Sequence, residues 1–243
     1  MSLLDIENNI IDDRVLIIRW LRENCDIYGV DEIVGNIVNV TGSVYIKNKD
    51  IEYIPIQFGV VTKSFNCYDC KNLKSLKGSP HNVLAFTCQN CINLVNLEGA
   101  PKEVGSFGCS GCFRLESLKG APEHCTHYFD CSDCCALTEL NWEPKFLGSF
   151  DCTSCNCLTS LKGLPQVLHG ELKCSYCDSF EDMVGFPKVI EGDLCCVSCE
   201  GLTSINGIPE IIMGDLMINR CHSLDITVSE IGNQSIVKGE IYI

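Results

Sequence analysis

The sequence has few basic side chains for its length. Its 243 residues contain 18 Lys and Arg against 32 Asp and Glu, which gives a formal net charge of −14 and a sequence pI of about 4.7. Nucleic acids and anionic membranes both select cationic surfaces, so this composition disfavours them as partners. A basic protein is the natural complement, and we expect a protein partner.

The sequence also lacks signals that would take the chain into or across a membrane. No apolar run approaches the roughly 20 residues of a spanning helix. The N-terminal stretch MSLLDIENN is acidic and lacks the basic and then apolar layout of a secretory signal. The expectation is therefore a soluble, cytoplasmic protein.

Cysteine is plentiful, with 20 in the chain. At this density a small secreted domain would hold disulfides, but without an export signal the thiols are expected to be reduced. Three explanations remain, namely metal binding, catalysis and packing in a core.

The cysteines belong to a repeat. The segment Phe65–Val83 returns six times with substitutions, and a decayed copy begins at Leu216. Most units close with Gly-x-Pro, as at Gly78–Pro80. A unit of 21 or 22 residues cannot bury its apolar face alone, so this period predicts one elongated array.

Two cysteine ladders follow from the register. The first ladder comprises Cys67, Cys88, Cys109, Cys131, Cys152, Cys174 and Cys196. The second ladder, three residues later in each unit, comprises Cys70, Cys91, Cys112, Cys134, Cys155, Cys177, Cys199 and Cys221. Leucine-type residues follow a further three positions on, which is the spacing of a stacked core.

This register predicts three regions. An N-terminal cap of helix and strand covers residues 1–43, the array covers 44–226, and C-terminal cap strands cover 227–243. The array units lie near 44–64, 65–85, 86–106, 107–128, 129–149, 150–171, 172–193, 194–215 and 216–226.

Both caps carry local patterns. Asp13–Asn24 has the apolar spacing of an amphipathic helix. Ile33–Val40 and Ser43–Ile46 are predicted strands around a turn at Thr41–Gly42, followed by a long connection over Ile56–Ser64. At the other end, alternating apolar residues predict strands that begin near Ile226 and Val228 and turn at Gly232–Asn233.

The run Val83-x-x-Phe86-x-Cys88-x-x-Cys91-x-x-Leu94 fits the pattern LxxLxLxxCxxL. It resembles a leucine-rich repeat of the type that carries cysteine where others carry asparagine. It departs from that pattern by placing Cys88 in a slot normally held by leucine or valine. The short period and the Gly-x-Pro closure are similar to small leucine-rich-repeat proteins of tailed bacteriophages and some bacteria.

This resemblance implies a right-handed curved superhelix, with one parallel strand per coil and the β-sheet on the concave face. The segment Leu94–Val104 is short and contains proline, so the convex segments are expected to be non-helical. If the protein is phage-encoded, its location would be the host cytoplasm.

The C-x-x-C pairs raise a metal alternative. Cys67, Cys70, Cys88 and Cys91 have the spacing of a four-thiolate zinc or iron–sulfur site. However, isoleucine fills the first ladder's column in the early and late copies, and an aliphatic side chain cannot be a ligand. We interpret both ladders as core packing and expect no cofactor, with cross-coil disulfides as another alternative.

Three cysteines outside the ladders raise a second alternative, a cysteine-dependent enzyme. They are Cys135, Cys157 and Cys195, and the thiol of Cys195 is expected to face outward. A nucleophile would need a base such as His169. We expect no enzymatic activity.

The outward positions of the concave face are the predicted binding site. They hold Tyr68, Asp69, Gln89, Asp130, Asp133, Asp151, Glu171, Lys173, Tyr176, Asp193 and Asp215. Acidic side chains on a curved surface focus negative potential, and tyrosines can anchor contacts. The sequence thus predicts a non-enzymatic scaffold that offers an acidic concave surface to a basic protein.

Overall fold

The first described element is a capped helix. The computed structural model describes residues 13–243, in which helix α1 spans Arg14–Asn24. The Asp13 side chain accepts hydrogen bonds from the amides of Val15 and Leu16, which satisfies two free donors of the first turn. Ile17 and Leu21 are buried in the core of the array. The predicted helix is confirmed, while the predicted cap before Asp13 lies outside the described residues.

A long antiparallel hairpin follows the helix. Strand β1 spans Cys25–Val34 and strand β2 spans Ile37–Ile46, with the turn between them at Gly35–Asn36. The expected turn at Thr41–Gly42 is wrong. Gly42 pairs with Gly29 in mid-strand, both at positive φ, and a Cβ on Gly42 would overlap the carbonyl oxygen of Tyr28. Glycine therefore allows a close approach of two strands here instead of a reversal.

The array continues with five longer strands. They are β3 Gln57–Asn66, β4 Asn82–Thr87, β5 Glu103–Gly108, β6 His124–Asp130 and β7 Phe146–Asp151. Each pairs in parallel with the next, and β3 pairs in parallel with β2. The expected connection over Ile56–Ser64 is wrong, because most of it lies in β3.

From Val167 onward each coil carries two short strands. They are β8 Val167–Leu168, β9 Leu172–Lys173, β10 Val189–Ile190, β11 Leu194–Cys195, β12 Ile211–Ile212, β13 Leu216–Met217, β14 Ile236–Val237 and β15 Ile241–Tyr242. Leu147 and Phe150 are three positions apart, whereas Leu168 and Leu172 are four apart. β3 and β6 have the same four-residue spacing but accommodate the extra residue as a register shift within one continuous strand.

The strands form two sheets. One has 11 strands in the order β1-β2-β3-β4-β5-β6-β7-β9-β11-β13-β15, and the other has four in the order β14-β12-β10-β8. Apart from the β1–β2 hairpin, the pairing in both sheets is parallel. The structure is thus a parallel β-solenoid of about nine turns. Its right-handed curvature and its place among leucine-rich repeats stay predictions.

The last coil contains a second helix. Helix α2 spans Val228–Gly232, and Thr227 and Glu230 form a reciprocal capping box at its start. The expected strand at Val228 is therefore wrong, and Gly232 ends this helix instead of making a turn between strands. The apolar pairs Ile236–Val237 and Ile241–Tyr242 are strands and extend both sheets by one coil.

The core consists of columns that run along the array. Phe65, Phe86, Phe107, Phe129 and Phe150 stack with ring centroids 5.1 to 5.7 Å apart. All the cysteines of both ladders are buried, none more than 6% exposed. This burial is what the packing interpretation requires.

Two backbone reversals with positive φ shape most coils. One lies directly before the second-ladder cysteine, at Asp69, Asn90, Gly111, Asp133, Ser154, Tyr176, Ser198 and Arg220. The other lies at the glycine of Gly-x-Pro. In the unit with Trp142 in place of that glycine, Asn141 takes the positive φ and the indole turns into the core. The Trp142 Nε1 atom then donates to the Pro122 carbonyl oxygen at 2.9 Å.

Candidate functional site

The outward side of the 11-stranded sheet, which we call the sheet face, presents one side chain per coil at each position of the strands. At the carboxyl ends of the strands this row comprises Tyr45, Asn66, Thr87, Gly108, Asp130, Asp151, Lys173, Cys195, Met217 and Tyr242. Asp130 pairs in register with Asp151, which pairs with Lys173. The repeat therefore sets charged groups one strand apart, roughly 4.8 Å.

Five side chains of the sheet face form what we call the acidic cluster, defined as Tyr128, Asp130, Asp151, Glu171 and Lys173. The Tyr128 hydroxyl donates to Asp151 Oδ2 at 2.6 Å. The Lys173 Nζ donates to Glu171 Oε1 at 2.6 Å and lies 5.9 Å from the centroid of the Tyr128 ring. These contacts join three successive coils.

The two aspartates are held by neutral donors. Asp151, only 9% exposed, also accepts from the amide of Thr153 at 2.9 Å. Asp130 accepts from the amide and hydroxyl of Ser132 at 3.0 and 2.6 Å, and from the Gln89 amide group at 3.3 Å. Both carboxylates are thereby fixed in position, and neither forms a close ion pair within residues 13–243.

The converging carboxylates affect the protonation of Tyr128. Burial, and then the hydrogen bond to Asp151, raise the pKa of Tyr128 far above its ordinary value, with Asp130 and Glu171 adding to the effect. The Glu171 carboxylate raises the pKa of Lys173, which is the one cation of the cluster. The hydroxyl therefore stays protonated and acts as a donor at neutral pH.

Two predicted residues, Tyr68 and Asp69, lie apart from this cluster. Both fall in the turn after β3, and Asp69 has the positive φ of that turn. Tyr68 is 47% exposed, and Lys49 Nζ lies 4.4 Å from its ring centroid. The aromatic surface here is thus partly covered by a cation.

The other predicted residues have roles in main-chain structure. Asp133 and Tyr176 hold the positive-φ position of their turns, with the Tyr176 side chain 50% exposed. Asp193 Oδ1 accepts from the amide of Asp215, and Asp215 Oδ1 accepts from the amide of Glu240, both at 2.8 Å. These two carboxylates tie successive coils together.

Tyr128 and Ser132 belong to the site but were not predicted. Tyr128 occupies an outward slot that neighbouring coils fill with the small residues Ser106 and Ser149. A large polar residue in a column of small ones was the available signal. Ser132 carried no such signal, because serine and threonine are common at its position.

The second ladder has a regular chemical role. In seven successive coils its thiol donates to the main-chain carbonyl oxygen of the first-ladder cysteine one coil earlier. The pairs are Cys91 to Cys67, Cys112 to Cys88, Cys134 to Cys109, Cys155 to Cys131, Cys177 to Cys152, Cys199 to Cys174 and Cys221 to Cys196, at 3.1 to 3.3 Å. A thiol donates only while it carries its proton, so these hydrogen bonds belong to the protonated side chains. Among residues 13–243, no three His, Cys, Asp or Glu side chains are arranged to hold a metal ion.

The three cysteines considered as candidate nucleophiles differ in exposure. Cys135 and Cys157 are exposed, and Cys195 is half-buried with its sulfur 3.3 Å from the Ser175 hydroxyl. His169 stacks on Phe146 and pairs with Glu191 at 3.1 Å. The nearest described polar contact of Cys195 is thus a serine, and the histidine faces a carboxylate.

Fold and site together define a parallel β-solenoid with an acidic patch on the outward side of its main sheet. Comparison with known protein families, with curated proteins and with solved structures found no match. Neither α1 nor α2, the helices of residues 13–243, has the length and apolar character needed to cross a membrane.

Proposed function

We propose that this protein is a non-enzymatic interaction scaffold whose sheet face binds a basic segment of another protein. The observation that carries the proposal is the acidic cluster. Asp130, Asp151 and Glu171 converge on a surface where Lys173 is the one positive charge, so the cluster has a net charge of −2. Its carboxylates are already oriented, which lowers the entropic cost of binding a cation.

The distribution of charge along the chain supports the same partner. Residues 120–243 contain 18 acidic and 6 basic side chains, whereas residues 47–119 contain 6 acidic and 9 basic ones. Within the array, negative charge is therefore concentrated in residues 120–243, which include the coils of the acidic cluster; residues 1–46 are also acidic, with 8 acidic and 3 basic side chains. Within the array, a basic segment would be steered toward the later coils and away from residues 47–119.

The finer assignment to leucine-rich repeats is part of this proposal. The 21- and 22-residue periods and the Gly-x-Pro turns support it. So does the second ladder, whose thiols bond main-chain carbonyls inside the turn that follows each strand. In that arrangement the sheet face would be the concave surface, which repeat scaffolds commonly use for recognition.

Isosteric neutralisation tests the proposal. The triple variant Asp130→Asn, Asp151→Asn, Glu171→Gln removes three charges but keeps side-chain size and most hydrogen bonds. We expect it to weaken binding of Lys/Arg-rich peptides from a defined array by about 10-fold or more, measured by fluorescence anisotropy. Affinity of the natural sequence should fall as salt rises.

The matched control removes three exposed acidic charges that lie outside the sheet face, with Glu116→Gln, Glu143→Gln and Glu181→Gln. This variant has the same net charge as the first and should bind as the natural sequence does. Equal loss in both variants, or unchanged binding in the first, would contradict a site at the acidic cluster.

A further inference from the structure

One thiol pair in the core differs from its neighbours. Cys174 and Cys196 follow the paired strands β9 and β11, in which Lys173 lies opposite Cys195. Their sulfur atoms are 2.6 Å apart, and both residues are at most 1% exposed. This separation exceeds the length of a disulfide bond by only roughly 0.6 Å.

Other first-ladder thiols contact main chain of the next coil, since Cys67 donates to the Thr87 carbonyl oxygen and Cys131 to the Asp151 carbonyl oxygen, each at 3.3 Å. Cys174 makes the equivalent contact with the Cys195 carbonyl oxygen at 3.5 Å, and its sulfur contact with Cys196 is additional. Within residues 13–243, the one hydrogen-bond partner of the Cys196 sulfur is the sulfur of Cys174. The contact is therefore a local feature of two coils and not a general property of the ladder.

We propose that Cys174 and Cys196 form a reversible disulfide that links two neighbouring coils. Parallel neighbours lie roughly 4.8 Å apart, inside the Cα separation that disulfides accept. The two thiols lose two protons and two electrons as the S–S bond forms. A low-molecular-weight disulfide such as oxidised glutathione accepts both and is cleaved into two thiols. The link does not depend on the proposed binding function.

The rest of the ladder tolerates this link. Cys199 and Cys221 bond the main-chain carbonyls of Cys174 and Cys196, both at 3.1 Å, and a disulfide between the side chains leaves those carbonyls in place. Burial raises the pKa of both thiols, so few thiolates exist at neutral pH in the folded state. Exchange in the folded protein should therefore be slow and should proceed through local opening.

The test is a count of free thiols in the full chain. Reduced protein is refolded in a glutathione redox buffer, denatured without reductant and alkylated. Of the 20 cysteines, two are expected to escape alkylation. Intact mass distinguishes an internal disulfide from bound glutathione, and dithiothreitol should restore the full count. The same count on folded protein held with oxidised glutathione makes the result independent of refolding yield.

Three variants locate the link. Cys174→Ser and Cys196→Ser should each leave every remaining cysteine free to react. Cys195→Ser, which removes the half-buried thiol next to Cys196, should keep the link. Full alkylation of the natural sequence in both arms would overturn the proposal. So would a link that survives either of the first two substitutions or disappears in the third.

Discussion

The thiol of Cys155 donates a hydrogen bond to the main-chain carbonyl oxygen of Cys131, one coil earlier, at 3.1 Å. Both residues are fully buried, and no other donor among residues 13–243 reaches that oxygen. A cysteine of the second ladder thus does two things, since it fills core volume and satisfies a carbonyl group that water cannot reach. Where a first-ladder thiol donates, as Cys131 does to the Asp151 carbonyl oxygen, that oxygen already accepts from a main-chain amide and does not depend on the thiol.

The two ladders should therefore respond differently to valine. Cys155→Val keeps an apolar side chain of similar size but leaves the Cys131 carbonyl without a donor. We expect it to lower the free energy of unfolding by about 2 kcal/mol, the usual cost of a buried unsatisfied group. Urea denaturation followed by circular dichroism measures the change.

Cys109→Val is the matched control in the first ladder. Its thiol donates no hydrogen bond to another residue within 13–243, and Ile46 and Ile218 take the corresponding place at the two ends of the array. It should cost less than about 1.5 kcal/mol. If both valine variants lost the same stability, the thiol hydrogen bonds would have no role beyond packing.

Gly99 should not tolerate a side chain. Its φ is +97°, and a Cβ there would overlap the backbone nitrogen of Lys77 in the preceding coil. Gly99→Ala should lower the free energy of unfolding by about 2 kcal/mol or more, since it combines backbone strain with a clash against main chain. Gly232 lies at the end of α2 with open space around it. Gly232→Ala should instead raise the free energy of unfolding by about 0.5 kcal/mol. If Gly99→Ala left the free energy of unfolding unchanged in the same denaturation assay, this account of the turn would be refuted.

Alkaline pH should destabilise the protein through its buried thiols. Burial raises the pKa of Cys125 from 9.0 to about 11 and that of Cys25 to about 12. A thiol with a raised pKa keeps its proton in the folded state after the unfolded state has lost it. Its contribution to stability is thus complete below pH 9 and disappears as pH rises toward 11 or 12. Denaturation midpoints should change little from pH 8 to 9 and should fall from pH 9 to 10.5.

Cys125→Val isolates one of these thiols. Val104 and Leu147 flank Cys125 in register on neighbouring strands, so valine suits the position. Between pH 9 and 11 this variant should lose stability less steeply, by about 1.4 kcal/mol per pH unit, which corresponds to one proton. Cys157→Ser, at an exposed position, serves as the control. A slope unchanged by Cys125→Val would show that other groups cause the alkaline loss.

The columns of the core were predictable, because eight copies repeat the same spacing. Phe86, Cys88, Cys91 and Leu94 are buried as their register requires. The sequence placed the helix α1 correctly for a similar reason, since its apolar spacing extends over three turns. Periodicity averaged over many residues is a strong signal.

Features that occur only once in the chain were harder to predict from the sequence. Thr41–Gly42 has the composition of a turn, and only the pairing of Gly42 with Gly29 shows that it lies in mid-strand. The capping box of Thr227 and Glu230 was visible in the sequence, but five helical residues are too few for a periodic pattern. The cluster around Tyr128 depends on an inserted residue that shifts the outward positions of β6. Each of these features depends on contacts or local structure that a repeating sequence pattern does not show.

The hydrogen bonds of the second ladder also show how far apart in sequence the contacting residues of neighbouring coils are. Each joins residues 24 or 25 positions apart, about one-tenth of the chain length. Adding a coil therefore closes a loop of nearly constant length wherever the coil lies, and the entropic cost is the same at each step. Although most of its regular structure is β-sheet, the array has the short-range connectivity more usual in helical proteins.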